Sequence, residues 1–315
     1  MSYFLGIDTS NYTTSVALYC DKDNTIISKK KLLPVGKNEK GIRQSDAVFH
    51  HTVQLPDLIS EIFEGKTFDI RAIGVSVKPC NDKNSYMPCF LSGISVAVSL
   101  ASALNIPLYR FSHQDGHIVA ALYSANRLDL INDDFFAFHI SGGTSQVLLV
   151  KPNDKYFDTI KVSDSLDLKA GQAIDRIGLN LGLKFPCGPE LENLALKSQN
   201  KLNKIKVFRR DGNFSLSGVE NRCNKMLTDD EKPEDIAMYC LSYIYSALDD
   251  TVIELMDKYG KLPLVFSGGV MSNSIIRTEM QKKYNSYFAE PQYSSDNACG
   301  IAVLTSIIDK KDNKK

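Results

Sequence analysis

At 315 residues the chain is too long for one ordinary domain and suits two of about 150 residues each. Basic and acidic residues balance at 37 each, which excludes a global field drawing the chain onto nucleic acid or an anionic membrane; such contact would need a local basic patch or a partner protein. Seven scattered cysteines without a Cys-x-x-Cys pair exclude a zinc ribbon and disfavour a disulfide scaffold, so reduced thiols and a cytoplasmic location are expected.

The N-terminus "MSYFLGIDTS" has no basic segment followed by an apolar one, so it does not read as a signal peptide. Residues 3–20, "YFLGIDTSNYTTSVALYC", read as an apolar strand, a polar turn and an alternating strand, which predicts a hairpin. Helical periodicity fits 52–64 and 90–104. The weakly polar run 90–106, "FLSGISVAVSLASALNI", is short for a membrane span and reads as a buried helix; no membrane contact is expected. Residues 135–150, "FFAFHISGGTSQVLLV", repeat the hairpin scheme, and helical periodicity returns at 170–182 and 234–258. Residues 262–280, "LPLVFSGGVMSNSIIRTEM", give a strand and a Ser-Gly-Gly turn leading into a helix, and 297–309 is again helical. This order predicts an α/β chain of two internally similar lobes.

Glycine turns after apolar strands let backbone N–H groups approach an anion, and a following helix start adds a favourable dipole. Here such turns recur, as Ser141, Gly142, Gly143, Thr144 and Ser145 and again as Ser267, Gly268 and Gly269. The arrangement suits a triphosphate held between two lobes, although neither a Walker loop nor a Gly-x-Gly-x-x-Gly turn occurs. By fold-level analogy the architecture is a two-lobed actin-like or sugar-kinase-like ATPase fold.

Two of the five histidines lie in "FSHQDGHIVAAL", residues 111–122. On a helix, His113 and His117 share one face, a spacing at which two imidazoles can bind one zinc or iron. Two partly exposed histidines at a helix start would show the same spacing. A metalloprotease needs Glu directly after the first histidine. Gln114 stands there instead, with Asp115 one further on, so the metal is expected to hold a substrate rather than cut a peptide. His139, ending the strand before the Ser141 turn, is a possible further ligand or a core histidine. Asp296 stands at an expected helix start, where an aspartate ordinarily caps.

The order of these motifs resembles the tRNA threonylcarbamoyladenosine-forming proteins, the TsaD family, once called O-sialoglycoprotein endopeptidases. The similarity runs from "GIDTS" to "DNACGIAVL", almost the entire chain. "HTVQLPDLI" resembles the family's His-x-x-x-Leu-Pro-x-Leu-Ile, and "HQDGH" its His-x-Glu-Gly-His. "SGGTSQ" resembles Ser-Gly-Gly-His-Thr-Gln, and "AGQAID" resembles Ala-Gly-Glu-Ala-Phe-Asp. "NFSLSG" and "SGGVMSN" resemble its Asp-Phe-Ser-Phe-Ser-Gly and Gly-Gly-Val-x-x-Asn.

The resemblance implies a two-lobed nucleotide-binding fold with a divalent metal, in which His113, His117 and Asp296 match metal ligands and His139 falls where some relatives carry a metal-contacting Tyr. It further implies that residues 141–145 contact ATP or threonylcarbamoyl-adenylate. Asp175, Gly188 and Glu192 match positions near the ribose and base, and Asn273 a nucleotide-contacting Asn. The expected activity is acyl transfer, moving a threonylcarbamoyl group from the adenylate to an adenosine of tRNA, with partner proteins helping to hold the tRNA. Asp115 is the candidate proton acceptor or orienter.

The chain departs from the family pattern near the expected centre. Thr-Ser-Cys-Asp-Glu-Thr is replaced by Thr9-Ser10-Asn11-Tyr12-Thr13-Thr14, Gln172 replaces an acidic residue, and Thr144 replaces a His. Carbamoyl transfer to a small molecule or protein, and a non-catalytic nucleotide-binding partner, are therefore the rival expectations. For tRNA contact the densest basic stretch is "KSQNKLNKIKVFRR", residues 197–210. The expected lobes are 1–110, rejoined by a C-terminal helix at 297–315, and 111–296.

Overall fold

The computed structural model describes residues 1–10, 12–34, 42–82, 84–293 and 298–313. They form two compact units, Met1–Leu128 with Gln292–Lys315, and Asp129–Pro291. The first thus extends past the boundary expected at residue 110. In the first unit the chain runs β1 (Ser2–Ser10), β2 (Thr13–Cys20), β3 (Thr25–Leu32), α1 (Gln44–Phe63), β4 (Asp69–Lys78), α2 (Phe90–Leu104), β5 (Leu108–Ser112) and α3 (His113–Ser124). The second begins with β6 (Phe135–Ile140), β7 (Ser145–Pro152), β8 (Phe157–Asp164), α4 (Ala170–Asn180) and α5 (Gly188–Ala195). It continues through β9 (Arg209–Arg210), β10 (Asn213–Phe214), α6 (Ser217–Thr228), α7 (Pro233–Tyr259), β11 (Leu264–Ser267), α8 (Ser274–Lys283) and β12 (Ser286–Phe288). The chain then returns to the first unit as α9 (Ala298–Asp312).

Each unit is built on a five-stranded mixed sheet, and the two share one topology. The first has the order β3-β2-β1-β4-β5, with β1, β2 and β3 antiparallel in succession and β4 and β5 added parallel to β1. The second has the order β12-β11-β6-β7-β8, with β6, β7 and β8 antiparallel and β11 and β12 added parallel to β6. The second sheet therefore repeats the first, strand for strand.

In β1 the period-two alternation separates two faces. Leu5 and Ile7 join Leu55, Leu58 and Ile62 of α1 and Ala97 and Ala101 of α2 in one buried cluster. Gly6 faces the other way, onto the α9 backbone. The apolar run 90–106 is buried on one side only: Leu91, Val98 and Leu104 are exposed on α2. Among the described residues no helix is long and apolar enough to cross a membrane. β3, which sequence patterning does not reveal, carries exposed Lys29, Lys30 and Lys31 along the sheet edge, where charge discourages strand addition. The second core packs Phe136, Phe138 and Ile140 of β6 against α4 to α7. α7 begins with Pro233 in its first turn and ends before Gly260 at φ 88°, a start and stop that each residue type favours.

Candidate functional site

The carboxyl ends of β1, β4 and β5, adjacent in the first sheet, carry Asp8, Ser76 and Ser112. Ser112 starts α3 through a reciprocal capping box: its hydroxyl accepts from Asp115 N–H at 3.1 Å, and the Asp115 carboxylate accepts from Ser112 N–H at 3.0 Å. Asn81 donates to the other Asp115 oxygen at 2.9 Å, and Asp115 is fully buried. The Asp115 carboxylate thus fixes the start of the helix that carries both histidines. That fixed start places His113 and His117 on one partly exposed face, with ring centroids 4.7 Å apart and planes at 76°.

Asp8 is the residue that sequence reading missed. It is 1% exposed, and its two carboxylate oxygens lie 3.1 and 3.2 Å from His113 Nδ1. Ser10 donates to it at 2.7 Å, and the Ser76 hydroxyl donates to its other oxygen. Burial pushes the Asp8 carboxyl up, but the charge of His113 and hydrogen bonds from His113, Ser76 and Ser10 outweigh it and hold the group below the ordinary carboxylate range. The signal was present in "GIDTS": a charged residue interrupting an apolar strand.

Two imidazoles stand one helical turn apart, and a buried carboxylate backs one of them, as carboxylates back histidines that hold metals. That donor set fits zinc or iron. Among the described residues no group of three or more His, Cys, Asp or Glu is placed to hold a metal ion. Asp296, the expected further ligand, lies outside the described residues, as does Asn11.

A fully buried histidine, His51, sits beside this end of β1. The Thr14 hydroxyl donates to Gln54 Oε1 at 2.8 Å, while Gln54 Nε2 donates to Leu32 O at 3.2 Å. The one hydroxyl proton being used, His51 Nδ1 must donate to Thr14 Oγ1, 2.8 Å away. His51 is fully buried, and burial drives its pKa down to about 4, with Asp8 opposing and His50 adding to the fall. The unfolded chain takes up this proton below about pH 6.5 and the folded chain only near pH 4, so stability is lost as pH falls through that window. We expect a loss of about 2–3 kcal/mol from this group between pH 7 and 4.5. Urea unfolding should show a smaller pH-dependent loss in His51→Gln than in wild type; identical pH profiles would remove His51 as the source.

In the second unit, β6 and β11 are neighbours, with His139 in register with Ser267, and Gly268 brings the second turn against the first. Gly268 has φ 95°, and a Cβ there would lie 2.3 Å from Ile140 O, so only glycine fits. Gly142, Gly143, Gly188 and Gly269 instead face open space. Within the 141–145 turn, Gly143 and Thr144 N–H donate to Ser141 Oγ at 3.3 and 3.1 Å, so the hydroxyl helps to shape the loop. Ser145 Oγ accepts from Ala170 N–H at 2.9 Å, tying the turn to the start of α4. Ser267 donates to Phe138 O at 3.3 Å, so His139 Nδ1, 3.2 Å from Ser267 Oγ, is the donor of that pair. His139 is partly exposed rather than a core residue.

The remaining expected positions are drawn together by α5. Asp175 accepts from Cys187 N–H at 2.8 Å, directly before Gly188. Glu192 accepts from the N–H of Ser274 at 2.8 Å and from its hydroxyl, while Asn273 caps α8 by accepting from Ile276 N–H at 3.0 Å. The basic stretch is only partly available. Lys204 pairs with buried Asp249 and with Asp250 at 2.8 Å, and Arg209 with Thr251 at 2.7 Å and Glu254, so both strap the segment onto α7. Lys197, Lys201, Lys206 and Arg210 remain exposed.

Solved structures share this architecture at low identity. Full-length HypF in its phosphate- and nucleotide-bound form aligns with a TM-score of 0.57 and 12% identity over 100% of this chain and 56% of that one. A ROK family glucokinase from Streptomyces griseus, in complex with glucose and AMPPNP, aligns at 0.54 and 8% over 98% and 99%. The fold is thus that of the actin-like and sugar-kinase-like ATPases. By sequence, the tRNA N6-adenosine threonylcarbamoyltransferase of Bacillus subtilis (strain 168) is 29% identical over 98% of this chain and 91% of its own. That of Carboxydothermus hydrogenoformans is 30% identical over 95% and 90%. The model of the TsaD family, tRNA N6-adenosine threonylcarbamoyltransferase, matches residues 24–303, and the chain belongs to that family.

Proposed function

We propose that this chain is a tRNA-modifying transferase that moves a threonylcarbamoyl group from threonylcarbamoyl-adenylate to N6 of an adenosine in tRNA, with zinc or iron as its metal. Family membership over residues 24–303 carries this reading, and the Asp8-backed pair His113 and His117 supports the metal. The adenylate is a mixed anhydride and already activated. The acceptor amine forms a C–N bond with the carbonyl carbon, the C–O bond to phosphate breaks, and AMP and a proton leave. The protein need supply no covalent nucleophile; positioning and charge stabilisation suffice.

In this reading His113, His117 and Asp296 hold the metal, with His139 a further candidate. When bound, the metal supplies a Lewis acid for the developing charge. Ser141, Gly142, Gly143, Thr144 and Ser145, with Gly268 and Gly269, receive the phosphate and carbonyl end of ATP or the adenylate. The open space at Gly142, Gly143 and Gly269 and the α4 start beside the first turn support this. Asp175, Gly188, Glu192 and Asn273 form the ribose and base end. Incubation with tRNA, threonine, bicarbonate, ATP and an adenylate-forming enzyme, with partner proteins of the pathway, should yield the modified nucleoside on digestion. Nucleotide binding without product would favour the non-catalytic reading, to which the two replaced acidic positions, Tyr12 and Thr13, and Gln172 lend support.

Contact with tRNA is assigned to Lys197, Lys201, Lys206 and Arg210, the exposed part of the basic stretch. Replacing all four with Ser is expected to lower the log–log salt slope of tRNA binding by about 1 per lost phosphate contact while leaving nucleotide binding intact. Lys204→Ser and Arg209→Ser should act through stability instead: the first removes an ion-pair partner from Asp250 and from Asp249, which keeps Lys283 and Tyr284, and the second removes one from Glu254. An unchanged slope in the fourfold variant would move the tRNA surface elsewhere.

A further inference from the structure

We propose that Asp8 is the positioning residue for His113: its carboxylate takes the Nδ1 proton of the imidazole, fixing the Nδ1–H tautomer so that Nε2 is the nitrogen offered to a metal. The inference deepens the proposed metal reading and, as regards coordination, rests on it. A carboxylate at this place needs a reason. Asp8 ends the apolar part of β1 and is 1% exposed, and among the described residues the groups hydrogen-bonded to it are two hydroxyls and one imidazole, with no Lys or Arg. Desolvating a carboxylate is costly unless its hydrogen bonds are complete.

The three donors come from separate elements: Ser10 from the end of β1, Ser76 from the neighbouring β4, and His113 from the first turn of α3. Both Asp8 oxygens lie within 3.2 Å of the same Nδ1, so the ring meets the carboxylate face-on to its fork and cannot rotate about χ2 without losing both. The hydroxyls of Ser10 and Ser76 each donate to one oxygen, which holds the fork itself. Carboxylate backing of this kind orients the ring, fixes the tautomer and raises the basicity of the opposite nitrogen. His117, one turn on, has its ring 4.7 Å from the oriented one.

The test combines two readouts on the intact chain. In metal-free wild type, 15N-detected imidazole shifts should show His113 protonated at Nδ1; in Asp8→Asn, where the fork becomes an amide, that tautomer should be lost or mixed. Cobalt(II) or zinc(II) affinity, measured by competition with a chromophoric chelator, should fall about 10- to 100-fold in Asp8→Asn and by less in Ser76→Ala. An Nε2–H tautomer in wild type overturns the inference outright, whether or not any variant folds. So does wild-type metal affinity in a folded Asp8→Asn. A wild type that shows the Nδ1–H tautomer lost in Asp8→Asn, yet binds neither metal, sinks the metal reading while leaving the orienting role of Asp8 in place.

Discussion

Replacing His113 and His117 together with alanine is expected to strip the chain of about one equivalent of zinc or iron and to cut transferase activity by about 10²–10⁴-fold. The size follows from what is removed. Both imidazoles on the partly exposed face of α3 go, and a site left with one carboxylate has little hold on a borderline metal. The fold should survive, because neither ring belongs to the buried clusters and the capping box of Ser112 and Asp115 remains. One cost is predictable: Asp8 loses its imidazole partner and keeps only the two serine hydroxyls, so the double variant should be modestly less stable at neutral pH. Elemental analysis of both proteins purified in parallel decides the point, and equal metal content would remove the site.

Much of the fold was legible because it is local. The hairpins at 3–20 and 135–150, the helices at 90–104, 170–182 and 234–258 and the Ser-Gly-Gly turns all follow from periodicity and turn chemistry within a short window. β3 was not, since its three lysines answer to an edge position that only the sheet creates. The histidine pair was visible as a spacing. Its partner was not, because Asp8 and His113 are brought together by strand order. Asp115 carries a structural task that its place between two histidines does not announce: with Ser112 it forms both bonds of a helix cap. Lys204 and Arg209 read as a nucleic-acid surface until the polar face of α7 supplies their counter-ions. Asp8, Lys204 and Arg209 are thus poorly determined by sequence, because the partner that gives each its meaning lies far along the chain, whereas the Asp115 cap is local to Ser112.

The largest stability effect is expected where no side chain exists. A Cβ added to Gly6 would lie 2.2 Å from Ala298 O and 2.6 Å from Ala302 N, backbone atoms of α9 that no rotamer change can move. The helix therefore rests directly on β1, and Gly6→Ala must lift it off the sheet. α9 buries Ile301, Val303, Leu304 and Ile308, so losing that seat should cost more than about 4 kcal/mol and unfold the first unit. Gly300→Ala carries the same logic to the metal residues. Its Cβ would fall 1.8 Å from the carbonyl of Gly116, which lies between His113 and His117 on α3, and 2.8 Å from Ala120 N in the next turn. That close approach accounts for the position of α3 in the first unit, against α9. Displacing α3 should lower metal affinity even in protein that remains folded. Gly142→Val, at a glycine facing open space, is the control and should stay within about 0.5 kcal/mol of wild type. Denaturant unfolding followed by circular dichroism makes the comparison. If Gly6→Ala and Gly142→Val prove equally stable, α9 does not seat on the glycine of β1.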